Sequence, residues 1–241
     1  MELTGLRVVV TSAGRDFGRS LAIDLADAGA AVHLSARDPA AADETAALIR
    51  RRGGQAWPYR CDLADPDSIR EFTAQVAART PYVDVLVNNG ARYLAGADPV
   101  SGTDRDVIDT IAATATGTIL VTRGLLPSLE RSERPDIVTM VSAVADPGHR
   151  RSEAHPAYYA AKHAQAGFLE ILSHRLRPKG IRVMSLYPPD FDNPDRLGPD
   201  WDAPTSATDP LRAPSLTACV KFAIGQPRDC FLTSLRFEQA V

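Results

Sequence analysis

Seven short apolar runs alternate with helical segments along the whole chain, and this alternation restricts the fold more than any other feature. The runs are Leu6–Thr11, Ala31–Ser35, Gln55–Arg60, Val83–Val87, Asp136–Ser142, Arg182–Tyr187 and Cys230–Arg236. Most are rich in Val, Ile and Leu without strict polar alternation, which suits strands covered on both faces of a parallel sheet. Between them, helical patterns occupy Gly18–Ala28, Ala40–Arg52, Pro66–Arg79, Asp104–Glu130, Ala157–Arg177 and Leu211–Ile224. The alternation predicts an α/β fold, a doubly wound and mostly parallel seven-stranded sheet with helices on both faces. No break in composition and no internal repeat divides the 241 residues, so one domain spanning 1–241 is expected.

The remaining gross features narrow the function classes. A net charge of -3 gives no reason to expect nucleic acid or an anionic membrane as partner. Cys61, Cys219 and Cys230 form no CxxC pair and no spaced Cys/His set, so neither a metal site nor a disulfide framework is indicated. The start, "MELTGLRVVVTSAG", runs into a strand without a leader pattern, and no apolar run reaches membrane-spanning length. A cytoplasmic location is expected. The basic run Arg50–Arg52 reads as a solvated helix end. Two segments resist regular structure, 145–156 and the Pro- and Asp-rich 188–210. Both follow strands at the carboxyl edge of the sheet, where open α/β folds bind ligands, and 188–210 reads as a substrate loop or lid.

The first strand, a turn and a helix form "VVVTSAGRDFGRSLAIDLADAGAAVHL" at 8–34. A helix start in this position aims backbone N–H groups and a positive dipole end at the turn, which makes an anion site. Ser12, Gly14, Arg15, Asp16, Phe17 and Gly18 are the residues that would line it. Asp16 opposes an anion and reads as the N-cap of the helix. The end of the second strand distinguishes the dinucleotides. An acidic residue there holds the ribose diol of NAD, and an Arg suits the extra phosphate of NADP. Ala36 stands at the expected acid position and Arg37 follows; Asp38-Pro39 reads as a cap and first turn of the next helix. NADP(H) is therefore favoured over NAD(H).

Residues 156–163 read "PAYYAAKH". Tyr158 and Lys162, four apart in a helical pattern, share one face. A phenol titrating near ~10 needs roughly 4 kcal/mol of preference for its anion to reach ~7. A cation about 4 Å away at an effective dielectric of ~20 supplies about that much. Ser142 ends the preceding strand, where a hydroxyl can hydrogen-bond a substrate carbonyl.

Together these elements resemble the short-chain dehydrogenase/reductase family over about residues 4–238. "VVVTSAGRDFGR" is similar to the family's TGxxxGxG turn, "CDL" at 61–63 and "VLVNNGA" at 85–91 match two further segments, and Ser142, Tyr158 and Lys162 match its catalytic set. "LRPKGIRVMSLYPP" at 176–189 resembles the segment that usually ends in Pro-Gly. The resemblance implies a Rossmann-like fold and a ketoreductase or alcohol dehydrogenase. Tyr158 would exchange the proton at the substrate oxygen, Lys162 would hold the nicotinamide ribose and lower the Tyr pKa, and Ser142 would orient the carbonyl. Asp62, with Leu63 beside it, would meet the adenine, and Asn88 would lie beside the cofactor. A small-molecule carbonyl or alcohol is the implied substrate, and a homodimer or homotetramer through the helices at 104–130 and 157–177 the implied assembly. The departures are specific. Ser12 and Asp16 replace two of the family's glycines, "NNGA" inverts its Ala-Gly pair, and Thr114 stands where its catalytic Asn is expected. These changes motivate two alternatives, a non-redox enzyme on the same fold (cyclase, dehydratase or isomerase) and a nucleotide-sensing binding protein. His163 reads as structural, and His149 and His155, with Arg150 and Arg151, as parts of a solvated loop. Phe191 and Trp201 would either close over an apolar substrate or pack on helices.

Overall fold

A computed structural model describes residues 3–150 and 152–239. Arg151 of the basic loop, and Met1 and Glu2 of the starting segment, lie outside the described residues. Seven strands form one sheet: β1 (Arg7–Val10), β2 (Ala31–Ala36), β3 (Gln55–Arg60), β4 (Val85–Asn88), β5 (Asp136–Met140), β6 (Arg182–Tyr187) and β7 (Ser234–Arg236). Their order is β3-β2-β1-β4-β5-β6-β7, and every neighbouring pair is parallel. The chain runs outward from β1 to β3, then returns to the other side of β1 to lay down β4. The crevice between β1 and β4 is thus the topological switch point, at which such sheets bind ligands.

The helices are α1 (Asp16–Asp27), α2 (Pro39–Arg51), α3 (Pro66–Arg79), α4 (Asp104–Ile111), α5 (Gly117–Leu129), α6 (Pro156–Leu176) and α7 (Ala213–Ile224). The expected long helix at 104–130 is present as α4 and α5, joined by a five-residue π-helical segment, Ala112–Thr116. Strand side chains alternate between two cores. Val8 and Val10 face a cluster with Leu21, Val32, Leu34 and Val220, whereas Val9 faces one with Phe72, Leu86, Leu125 and Leu169. A strand feeding two cores needs apolar residues at every position, which explains the unbroken apolar runs.

Four local expectations change. α1 begins at Asp16, its N-cap is Arg15, and no side chain caps it, so Asp16 is the first helical residue and not the cap. β7 starts at Ser234 instead of Cys230, because the Cys230 carbonyl accepts from Arg182 instead of extending a ladder. Arg50 and Arg52 are not merely solvated: Arg50 donates to the Ala56 carbonyl and Arg52 forms a two-pronged pair with Asp27. The 188–210 segment is tied down by a bridge between Asp192 and Arg212, a 3-10 turn at Pro199–Asp202, and ion pairs from Arg196 to Asp24 and Asp27. Among the described residues no helix is long and apolar enough to cross a membrane.

One ion pair closes the amino edge of the sheet. Asp136 and Arg182 are the opposed first residues of β5 and β6, and each is 1% exposed. Arg182 Nε and Nη2 reach the two Asp136 oxygens at 2.8 and 2.6 Å, and Arg182 also donates to the carbonyls of Ile224, Gln226, Pro227 and Cys230. The guanidinium therefore fixes the α7–β7 connection to the sheet. Removing one partner strands the other charge in the core, a loss of about 3–5 kcal/mol. Asp136→Ala should lower the unfolding free energy by that much, read as a lower urea midpoint at an unchanged slope; an unchanged midpoint would remove this role.

Candidate active site

The segments bearing the expected site residues leave the carboxyl ends of successive strands and converge on one edge. Ser12–Gly18 follow β1, Arg37 follows β2, Asp62 and Leu63 follow β3, Asn88 ends β4 and Ser142 follows β5. The turn after β1 keeps left-handed backbone without glycine, with φ of 54° at Ser12 and 48° at Asp16. Such a conformation costs a residue with a Cβ roughly 1–2 kcal/mol. Glycine is required instead where chains touch. A Cβ on Gly18 would lie 2.2 Å from the Ser12 carbonyl oxygen, and one on Gly90 would lie 2.4 Å from Ser12 Oγ. Asn89, which sequence reasoning passed over, stitches the turn to β4. Its main-chain N–H donates to Thr11 Oγ1, and its side-chain amide donates to the carbonyls of Thr11 and Ser12.

The turn suits a diphosphate. α1 has no side-chain cap, whereas Asp38, Asp65, Thr103 and His155 cap α2, α3, α4 and α6. Its first N–H groups therefore lack a side-chain acceptor. The exposed side chains of Arg15 and Asp16 pair with each other at 3.4 Å. Phe17 is buried and meets Phe191 edge-on at 5.3 Å, so the 188–210 segment leans on the turn. Trp201 is buried in the α1-side core. Both aromatics thus take the packing alternative. Asp38 caps α2 through Ala40 N, while Arg37 is exposed with no partner among the described residues. Asp62 accepts from Ala64 N, and Leu63 packs beneath Gly90 and Gly117. Asn88 Nδ2 donates to Thr122 Oγ1, leaving its buried Oδ1 unpartnered.

Of the expected catalytic residues, Ser142 lies just beyond β5, and Lys162 on α6 bonds the last residue of that strand. Ser142 Oγ accepts from Val144 N. Tyr158 and Lys162 lie one turn apart on α6, with Lys162 Nζ 5.8 Å from the Tyr158 ring centre. Lys162 is 2% exposed, and its Nζ donates to Met140 O at 2.8 Å and Gln165 Oε1 at 3.1 Å. Burial pushes Lys162 down to about 7. Burial also raises the Tyr158 phenol well above its ordinary value, reinforced by Tyr93 and Asp190. The expected lowering of the phenol by a cation at 4 Å is thus reversed: desolvation outweighs a lysine that is turned toward carbonyls. Tyr93 packs edge-on against Tyr158 at 5.1 Å.

Thr114 lies in the π-helical segment. Its hydroxyl accepts from Arg92 N, and its carbonyl accepts from Gln165 Nε2, so it meets Lys162 only through Gln165. Gln165, three residues after Lys162 on the same helix face, was visible only as that spacing. His155 is a correction: it is buried, and its Nδ1 caps α6 by accepting from Ala157 N. His163 is exposed and bonds the Tyr159 carbonyl, off the catalytic face. No group of three metal-ligating side chains occurs among the described residues.

Comparison with known proteins agrees with this geometry. The chain is 31% identical over 187 residues to the fatty acyl-CoA reductase of Acinetobacter baylyi, covering 77% of this chain and 62% of that one. It thus spans less than two thirds of that relative's length. It is 29% identical over 188 residues to 2,5-dichloro-2,5-cyclohexadiene-1,4-diol dehydrogenase of Sphingobium indicum, covering 78% and 73%. A short chain dehydrogenase from Burkholderia cenocepacia, solved in complex with NADP, superposes with a TM-score of 0.84 at 28% identity, covering 99% of this chain and 98% of that one. The short chain dehydrogenase family matches residues 7–198, and the chain belongs to that family.

Proposed function

We propose that this chain is an NADPH-dependent oxidoreductase of the ketoreductase or alcohol dehydrogenase type, acting on a small carbonyl or hydroxyl substrate. Two observations support the reading: Tyr158 and Lys162 stand one turn apart on α6, with Lys162 bonded to the β5 end that precedes Ser142, and α1 after β1 has no side-chain cap. When bound, the nicotinamide supplies or takes the hydride at the substrate carbon. In reduction, Tyr158 passes its hydroxyl proton to the substrate oxygen while Ser142 Oγ donates a hydrogen bond to that oxygen. The raised phenol keeps Tyr158 protonated through the neutral range, the state that reduction needs.

Two observations support NADPH over NADH. Asp38 is occupied in capping α2, so the carboxylate that would hold a ribose diol is engaged elsewhere. Arg37, exposed and unpaired among the described residues, suits the extra phosphate. The Burkholderia relative was solved with NADP. The turn residues Ser12, Gly14, Arg15, Asp16, Phe17 and Gly18 would hold the diphosphate end, with Asp62, Leu63 and Asn88 along the remainder. Segment 188–210 would cover the substrate, and the fold's placement of Ile108, Ile111 and Ile171 as exposed apolar residues on α4 and α6 supports pairing of two copies there. A cytoplasmic location fits this reading.

A second reading, a non-redox enzyme on this fold, draws on Asp16, whose exposed carboxylate stands at the N-terminus of α1. Titration with NADPH, followed by nicotinamide fluorescence, separates the two: the reductase reading expects saturable binding, and no binding discards it. Tyr158→Phe should keep that binding and lower turnover of a reducible ketone by about 10²–10⁴-fold; normal turnover would remove Tyr158 from the chemistry. Arg37→Ala should weaken NADPH by about 10–100-fold and leave NADH unchanged. Equal loss for both would move the phosphate contact elsewhere. Ile171→Arg should shift the sedimentation of the protein from dimer or tetramer to monomer, and a monomeric parent chain would refute the pairing.

A further inference from the structure

Lys162 has three N–H bonds as an ammonium, and the structure assigns acceptors to two of them. Met140 O, at the carboxyl end of β5, takes one at 2.8 Å, and Gln165 Oε1 takes the other at 3.1 Å. Gln165 is fully buried, and its amide has one possible orientation. Nε2 donates to Thr114 O at 3.2 Å and to Thr118 Oγ1 at 2.8 Å, while the Thr118 hydroxyl spends its own hydrogen on Thr114 O at 2.8 Å. Thr118 can therefore only accept from Gln165, and Oε1 must face the lysine, which has hydrogens to give. Each hydrogen in this network then has one acceptor, and the direction cannot be reversed.

We propose that Gln165 is a positioning residue of the catalytic centre. Its side-chain carbonyl, with the Met140 carbonyl, fixes two N–H bonds of Lys162 in either protonation state, so that only the third valence exchanges a proton with the site. As an ammonium, that valence carries the third hydrogen; as an amine, it carries the lone pair. An amide does not pass protons onward at neutral pH, so Gln165 also closes the path from Lys162 into the α4–α5 helices. Proton exchange with Lys162 then occurs on the crevice side.

The elements around Nζ hold few competing charges. On α6 the titratable neighbour is Tyr158, with its ring centre 5.8 Å away. β5 offers the Met140 carbonyl and the π-helical segment offers only carbonyl and hydroxyl groups through Gln165. No described carboxylate pairs with Lys162, so its acceptors are the neutral oxygens alone. Loss of one should therefore be felt directly in its ionisation.

This proposal deepens the oxidoreductase reading and rests on it, but its test needs neither cofactor nor substrate. The chain has three lysines, Lys162, Lys179 and Lys221, so 13Cε-lysine labelling of the full protein gives three NMR signals to titrate. Lys162→Met identifies the signal of interest by its loss. In the parent protein that signal should titrate near pH 7. Gln165→Leu should move its midpoint down by about one to two pH units, because the ammonium loses one of two acceptors. Gln165→Glu keeps an acceptor at the same place, adds a negative charge, and should move the midpoint up. Lys179 and Lys221 should stay fixed in both. If Gln165→Leu does not fold, the upward shift in Gln165→Glu decides. A Lys162 midpoint within a few tenths of a unit of the parent in the folded variants overturns the proposal. Failure to bind NADPH would sink the oxidoreductase reading and leave this result standing.

Discussion

A lysine ammonium removed from water sets the arrangement where α6 meets the end of β5. An unpaired buried charge is too costly to keep, so the fold must bring oxygens to it. Met140 is the last residue of β5, and its carbonyl lies beyond the Met140–Leu186 end of the β5–β6 ladder. Gln165 provides the second oxygen, and it is held in turn by Thr114 and Thr118. Those contacts depend on the π-helical turn. Gly117 N reaches back to Ala112 O there, and the Thr114 carbonyl within that segment accepts from Gln165 Nε2 and Thr118 Oγ1. A π-helical segment in the middle of a long helix is a frequent mark of a functional site. Strand end, catalytic helix and π turn therefore form one hydrogen-bonded unit.

The cofactor side depends on contact distances more than on charge. Two family glycines are absent, yet Ser12 and Asp16 retain the backbone that glycine would adopt. The replacement at position 12 has a visible compensation. A Cβ at position 90 would lie 2.4 Å from Ser12 Oγ and 2.2 Å from Leu63 Cδ1, so the glycine of the inverted "NNGA" leaves room for both side chains. Asn89 then fastens the altered turn by three hydrogen bonds to Thr11 and Ser12.

The parallel sheet was legible because its strands are covered on both faces, which writes unbroken apolar runs into the chain. The cap at Asp38 and the Tyr158–Lys162 spacing were legible because each is a local relation of a few residues. Three features were not. Asp16 reads as a cap by residue type, but its backbone is left-handed and α1 starts at it. His155 reads as a loop residue among charges, but burial beneath the α6 start makes it a cap. The role of Gln165 depends on a helix far away in sequence, and periodicity marks only its face. Polar side chains that satisfy one another in the core leave almost no pattern in the sequence around them.

The ionisation of the tyrosine follows from where the lysine points. A cation about 4 Å from a phenol oxygen would favour the phenolate by about 4 kcal/mol at an effective dielectric of ~20. Here the ammonium is engaged by two carbonyls, and burial with Asp190 and Tyr93 acts on the phenol in the opposite direction. Burial thus favours the protonated phenol at Tyr158 and brings Lys162 down to about 7. The state of the phenol follows from its burial and from the hydrogen bonds that hold one lysine.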